Sequence, residues 1–565
     1  MAGAATASPA FPEAPILTDW PLRPWLLAGL LGLAGLLIHL FSNGEIESPI
    51  RAAMAAFVLF GALAAAFTLD RENWREPAIF SGAVGLLMAA LAGYAVAFYE
   101  ARANTPFAFA AGVLAVVLAV PLFQARFHRM RLMTPYAAIH FHVWTDAVSA
   151  GGALLFTGIA WAVLLMLAAL FVLLQIDLLE NLLGRGWFAW TVSGIAFGAA
   201  LGVLRNQLKV IGTLQAVVLL VLSLLAVPLA FALVLFLLAT ALSGPEVLWS
   251  ATASATPILL VSAAGAFVLA HAIVRQDDAA ASSSLVMRIA GLALVIGILP
   301  LSAFAAASMI VRVTQHGLTP ERLWGLAAIV VACAVGVGCW VAVIRGRWNG
   351  WPAAFRRATF ELVLFTFALA ILLALPILDF GRIATASQIE RLTSGEVDAE
   401  RFDFSALRWD FGNAGRAALT RLAASGDPRI AGAARQALAQ KQRPFRVRDE
   451  AAVERRQRRA NLRIQSGDPR LRAAVEAYID AQPWECVRTC TALDLGPSAK
   501  GRRIALVQGD RVEQLVLQAD GIVASLPPPL PPRRVQTGDE PRVEVRPFDG
   551  RQIYVDGRPI GEPFK

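Results

Sequence analysis

The sequence predicts an all-α integral membrane helical bundle of about eleven transmembrane helices, followed by a C-terminal soluble region that is helical and then a small β unit. Three observations carry this. Hydrophobic residues fill 57% of the 565 positions and mean hydropathy is +0.59, whereas soluble globular chains hold about 45–50% apolar residues. Apolar segments long enough to cross a bilayer recur from 25 to 379. After residue 501 the apolar pattern changes to period two, the period of strands.

In chain order, residues 1–24 are rich in Ala and Pro and nearly uncharged, the composition of a disordered tail. The segment 25–41 follows a single Arg and precedes no small-residue cleavage site, so it is an uncleaved anchor and not a signal peptide. Further apolar segments stand at about 52–69, 77–99, 106–123, 150–175 and 187–204. The 150–175 segment has an interfacial lead-in, Tyr136 to Asp146, and carries no charge from Leu154 to Leu174. Twenty-one uncharged residues rise roughly 30 Å, about the thickness of the hydrocarbon core. Residues 210–242 contain Pro228 and no polar turn, which predicts one kinked or tilted span and not a hairpin. Four more segments, about 256–274, 286–311, 323–344 and 360–379, complete a membrane domain over 25–380.

Loop charge predicts orientation. The loops on one side hold fourteen Arg and Lys and those on the other hold five, which puts the N-terminus in the cytoplasm. An odd number of spans then leaves the C-terminal region outside, in the periplasm. The bias of 46 Arg against 4 Lys suggests a bacterial chain, hence a bacterial inner (plasma) membrane. From Arg382 onward 31 basic residues oppose 24 acidic ones, so most of the net +9 lies there. That balance suits a solvated surface facing anionic headgroups. No aromatic-basic platform accompanies it, so no nucleic-acid partner is expected.

The region 381–480 reads as helical. Within it Ser425-Gly-Asp-Pro-Arg429 recurs as Ser466-Gly-Asp-Pro-Arg470. In each copy a helical stretch is expected to end at Ser-Gly, with Asp capping the next helix and Pro in its first turn. The spacing suggests helical hairpins of the HEAT kind, with an exposed Arg-rich helix over 443–463 between the copies. The region 481–565 reads as a β unit: one hairpin of 503–508 with 511–518 around Gly509-Asp510, a polyproline spacer at 527–532, and a second hairpin of 542–546 with 552–556 around Asp549-Gly550.

Few residues suggest chemistry. His142 and Asp146 are four apart and meet on one helix face, either as a relay pair at the membrane boundary or, as favoured, as a local hydrogen bond beside Trp144. His140 belongs to the same amphipathic stretch. Glu321 and Arg322 follow Thr319-Pro320, which reads first as a helix cap and only second as a ligand site. Glu361 lies four residues after Arg357, the spacing of an interfacial ion pair. His39 and His271 read as structural. Cys333 and Cys339 read as packing residues. Cys486 and Cys490 are candidates for a disulfide if the region is external. All six His lie at or before His316, so no Cys/His metal site is expected, and no cofactor motif occurs.

Three groups of residues resemble a known family. They are Trp144-x-Asp146 with Leu155 to Trp161 and Leu170-Phe171; Gly317 to Trp324; and Ala386-Ser387-Gln388 with Arg391, Gly395, Phe402 to Phe404, Arg408, Gly412, Arg416 and Leu419. Together they resemble the bacterial membrane proteins grouped as domain-of-unknown-function family 4153. The resemblance covers roughly 25–422 and implies a multi-span envelope protein without an established activity. The favoured function is therefore a non-enzymatic envelope component, a scaffold, sensor or assembly partner, whose C-terminal region binds an envelope protein. The alternatives are a transporter or channel for an apolar or lipid-like solute, and a membrane enzyme acting on lipid or glycan through His142, Asp146 and Glu321.

Overall fold

The computed structural model describes residues 20–42, 48–244, 255–282, 284–443, 455, 457–482, 484–498, 501–508, 511–518, 523–525, 551–555 and 558–564. Two compact units make up the chain, Met1–Lys441 and Gln442–Lys565.

Among the described residues, ten helices of the first unit are long and apolar enough to cross a membrane. They are α1 (Arg23–Ser42), α2 (Pro49–Thr68), α3 (Arg75–Ala97), α4 (Thr105–Gln124), α6 (Tyr136–Leu173), α8 (Gly186–Asn206), α9 (Leu208–Ser243), α10 (Thr256–Val274), α11 (Leu285–His316) and α12 (Pro320–Ala374). Short helices α5 (Phe127–Met130) and α7 (Leu178–Leu183) flank α6. The expected tail is shorter than 1–24: Arg23 already opens α1, and the Trp20 carbonyl accepts from the Arg23 amide at 2.8 Å. Residues 1–19 lie outside the described residues. The long 210–242 segment is one continuous helix with Pro228 inside it.

The last two apolar segments share α12, whose backbone leaves helical geometry at Arg347 (φ 52, ψ −162). A side chain at Gly346 would collide with the backbone of Trp351, and one at Gly338 would stand 3.0 Å from Leu362. Positions on either side of Arg347 therefore face each other, so the chain reverses there and the halves 320–346 and 348–374 lie antiparallel. The ten helices thus contain all eleven apolar segments.

Small residues set the packing. On α8, Gly194, Gly198 and Gly202 repeat every fourth residue along one face. A Cβ at any of the three would strike the backbone of α1, at Leu31, Leu27 and Pro24 in turn. The descending order shows that α1 and α8 run antiparallel with their backbones in contact, which only small residues permit. One apolar core joins α1, α2, α6 and α8. Another joins α9, α10, α11 and α12 around Trp351 and Phe355.

A helical cap closes the first unit: α13 (Phe380–Thr393), α14 (Phe404–Trp409), α15 (Gly412–Leu422) and α16 (Pro428–Leu438). Its core, built on Leu407, Phe411 and Leu419, includes Leu323 of α12. Asp379, Asp403 and Asp427 cap α13, α14 and α16 through their carboxylates.

The second unit is α/β. Strands β1 (Leu462–Gln465), β2 (Cys490–Ser498), β3 (Gly501–Gln508), β4 (Arg511–Leu517) and β5 (Val523–Ser525) form one sheet in that order, with β1 parallel to β2 and the rest antiparallel. Helix α17 (Pro469–Ala481) covers it with Leu471, Val475 and Ile479.

Two expectations are corrected here. The compact units part at Lys441, not at 380 and 480, because the cap shares a core with α12 and α17 shares one with the sheet. Asp468 and Pro469 do cap and open α17, but strand β1 precedes Ser466 where a HEAT hairpin needs a helix. The echo is capping grammar: Asp before Pro serves a helix start whatever comes before it. Strand β6 (Arg551–Val555) pairs with β7 (Arg558–Phe564), and 542–546, the partner expected for it, lies outside the described residues. The polyproline spacer, Asp549-Gly550 and most of the Arg-rich 443–463 segment lie outside the described residues.

Candidate functional site

One cluster of buried polar groups lies at the Arg-rich ends of the helices, along the first four turns of α6. Arg23, 1% exposed, donates to the Arg205 carbonyl at 3.1 Å and to Asn206 Oδ1 at 3.0 Å, and pairs with Asp70 at 3.3 Å. Asn206 donates to the Trp20 carbonyl at 2.7 Å, and Arg205 to the Ala66 carbonyl at 2.5 Å. These bonds tie the start of α1 and the ends of α2 and α8 into one charged knot. Gln124, the last residue of α4, donates to the Phe67 carbonyl at 2.8 Å and to Asp146 Oδ1 at 3.2 Å. Thr145 donates to Gln215 of α9 at 3.4 Å.

On the other side of α6, Tyr136 and His140 meet the start of the 348–374 half of α12 and the end of α10. The Tyr136 ring lies 5.7 Å from that of His140 and 6.5 Å from that of His271. The Phe267 carbonyl can only accept, so His271 Nδ1 carries the proton it donates there at 2.8 Å. Its Nε2 is 3.1 Å from Thr359 Oγ1. Arg356 donates to the Val274 carbonyl at 3.2 Å and pairs with Asp278. His140 is 4% exposed and Ser149 1%. Among the described residues, both His140 ring nitrogens, the Ser149 hydroxyl, the Tyr136 hydroxyl, Gln124 Oε1 and Asp146 Oδ2 have no hydrogen-bond partner.

Of the residues singled out in the sequence, His142 and Asp146 lie in this layer, but no hydrogen bond joins them among the described residues. Asp146 takes Gln124 as its donor, and the half-buried His142 ring rests on Phe141. His271, expected to be structural, bonds to the Phe267 carbonyl of its own helix and stands beside Thr359. Glu321 and Arg322 sit elsewhere. The Thr319 hydroxyl accepts from the Arg322 amide at 3.3 Å, Pro320 opens α12 and Glu321 is exposed in its first turn. They stand beside the far end of α11, whose opposite end Arg288 ties to the Trp348 carbonyl. A helix of 32 residues is about 48 Å long, so His142, Asp146 and Glu321 share no catalytic centre. The Arg357–Glu361 ion pair does not form among the described residues. Both side chains face outward, and the neighbouring Arg356 is the one that turns inward. In the sequence Arg23 and Arg205 count only as loop charges, and Gln124 and Gln215 go unmarked, although each lies within two turns of a span end on the Arg-rich side.

At the far end, the loop 315–319 docks on the cap. Gln388 donates to the carbonyls of His316 and Leu318, both at 2.9 Å, Arg391 to that of Gln315 at 3.0 Å, and Arg322 to that of Gly317 at 2.5 Å. A cavity of about 350 Å³ opens beside this joint, lined by Thr314, Ser387, Glu390, Arg391 and Glu396 among others. Across the cap, Arg416 donates to the Glu100 carbonyl at 2.6 Å, and the Asn413 amide to that of Ala101 at 2.8 Å. In the second unit Cys486 and Cys490 are joined as a disulfide, while Cys333 and Cys339 are free. Among the described residues no group of three or more His, Cys, Asp or Glu could hold a metal ion. No family model, curated protein or solved structure was found to match the chain.

Proposed function

We propose that this chain is a non-enzymatic component of a bacterial inner membrane, crossing it eleven times with its N-terminus in the cytoplasm, and that its C-terminal unit binds an envelope protein outside. Membership of domain-of-unknown-function family 4153 is part of the same reading. The observation that carries it is how the conspicuous polar residues are used. Arg322, Gln388, Arg391 and Arg416, all within the stretches that resemble the family, donate to loop carbonyls. Gln388, Arg391 and Arg416 join helices and cap, and Arg322 braces the loop on which the cap docks. What remains for recognition is the compact unit after Lys441.

The test replaces Gln442–Lys565 by alkaline phosphatase in a strain lacking the native gene. An active phosphatase together with a persisting null phenotype is expected. An inactive phosphatase would overturn the orientation, and full complementation would overturn the role of the C-terminal unit. A second reading, transport through the bundle, is favoured by one specific observation, the unpartnered His140, Ser149 and Tyr136 groups on α6. It predicts that His140→Phe abolishes function at unchanged protein level, whereas the scaffold reading predicts that it does not.

A further inference from the structure

In the second unit, among residues whose side chains are described, the large apolar ones are buried or half-buried with two exceptions. Trp484 is 65% exposed and Val487 62%. Single exposed apolar side chains are ordinary, but these two are three residues apart at one clamped turn. The Cys486–Cys490 disulfide closes it. Asn461 Nδ2 donates to the carbonyls of Cys486 and Val487 at 3.1 and 3.0 Å. Gln508 accepts from the Cys486 amide at 3.2 Å and donates to the buried Glu485. Cys486 itself is held in the left-handed region, at φ 55. Arg488 and Thr489 are exposed between Val487 and Cys490.

A tip already held in one shape loses little entropy when it inserts. Its residue types are those of a bilayer interface: Trp favours the headgroup level, and a guanidinium pairs with phosphate. A covalent tether to membrane helices keeps a bilayer within reach at high effective concentration. We propose that the Trp484–Cys490 turn docks into the headgroup layer of an anionic phospholipid membrane, Trp484 and Val487 entering the interface and Arg488 contacting phosphate. The proposal rests on the membrane reading of the chain and is independent of any envelope-protein partner.

The test uses the full-length chain reconstituted in vesicles of phosphatidylethanolamine and phosphatidylglycerol, with Trp484→p-benzoylphenylalanine as a photoprobe. The same probe at Gln465, exposed on β1, is the control. Irradiation is expected to add phospholipid mass to the peptide carrying position 484 at least fivefold above the control. Arg488→Glu is expected to cut that yield severalfold in anionic vesicles and by less in phosphatidylcholine, which keeps the phosphate but has no net surface charge. Equal lipid labelling at both positions, no lipid adduct, or an adduct to protein alone would overturn the docking. A chain that does not enter vesicles at all would overturn the membrane reading beneath it.

Discussion

Arg23 shows how a membrane-end charge is stabilised. Its guanidinium is buried and meets two acceptors on α8 as well as Asp70. Arg23→Ala leaves the Arg205 carbonyl, Asn206 and Asp70 short of a donor; Asp70 is about a third exposed, so the loss is that of hydrogen bonds from a charged group, about 2 kcal/mol. The expected outcome is a clear fall in the thermal midpoint of the detergent-solubilised protein, with Arg71→Ala, on the exposed side of the same loop, as the unchanged control. In the second unit, side-chain hydrogen bonds from Arg502 hold the Asp494 carboxyl below its usual range, helped by the Gly496 amide and opposed by partial burial. A carboxylate whose folded pKa is depressed adds stability above the ordinary value, about 3.9, and loses it as pH falls through the folded one. Asp494→Asn should therefore cost about 1 kcal/mol at pH 7 and progressively less as pH falls below the ordinary carboxylate value. Hydrogen-exchange protection of peptides from β2 to β4 reads both.

At the scale of elements, the α1–α8 pair depends on absent side chains. Gly198→Leu would place a branched side chain where the Leu27 backbone already lies, so the two helices must separate and the Arg23 knot opens with them. Loss of assembled protein, read by size exclusion in detergent, is the expected result. Gly158→Leu on α6, which meets no neighbour within 4 Å, should leave assembly intact. Equal behaviour of the two variants would refute the close packing. The Arg347 break works in the opposite sense. A helix of 55 residues would be about 80 Å long if straight, far more than a bilayer accepts. Folding it back at Arg347 gives two apolar halves, each about 40 Å long.

For the whole molecule, the boundary at Lys441 decides which truncations are informative. The cap shares its core with Leu323 and ties itself to the loops at 100–101 and 315–318. Removing everything from Arg382 would therefore expose that core and damage the membrane unit. Cutting after Lys441 removes only the α/β unit. The phosphatase replacement described above is expected to accumulate normally, whereas the same enzyme fused after Gly381 should be degraded.

The sequence by itself determined the apolar segments, the single long helix over 210–242, the Thr319-Pro320 and Asp-Pro helix starts, and the β3–β4 hairpin. Each of these is written in local residue order: span length in consecutive apolar residues, caps within three positions, a hairpin in its turn. Only the tertiary structure decided that Asp146 bonds to Gln124 and not to His142, and that Glu321 lies a helix length from both. It also decided that the last two segments fold back at Arg347, and that 462–481 belongs with the sheet. These outcomes depend on which helix ends meet and which backbone groups need partners there, and contacts between residues as distant as 23 and 206 leave no period in the chain. The glycine repeat at 194, 198 and 202 stands between the two. Its spacing is visible in one dimension, but its partner, α1, is chosen by the packing.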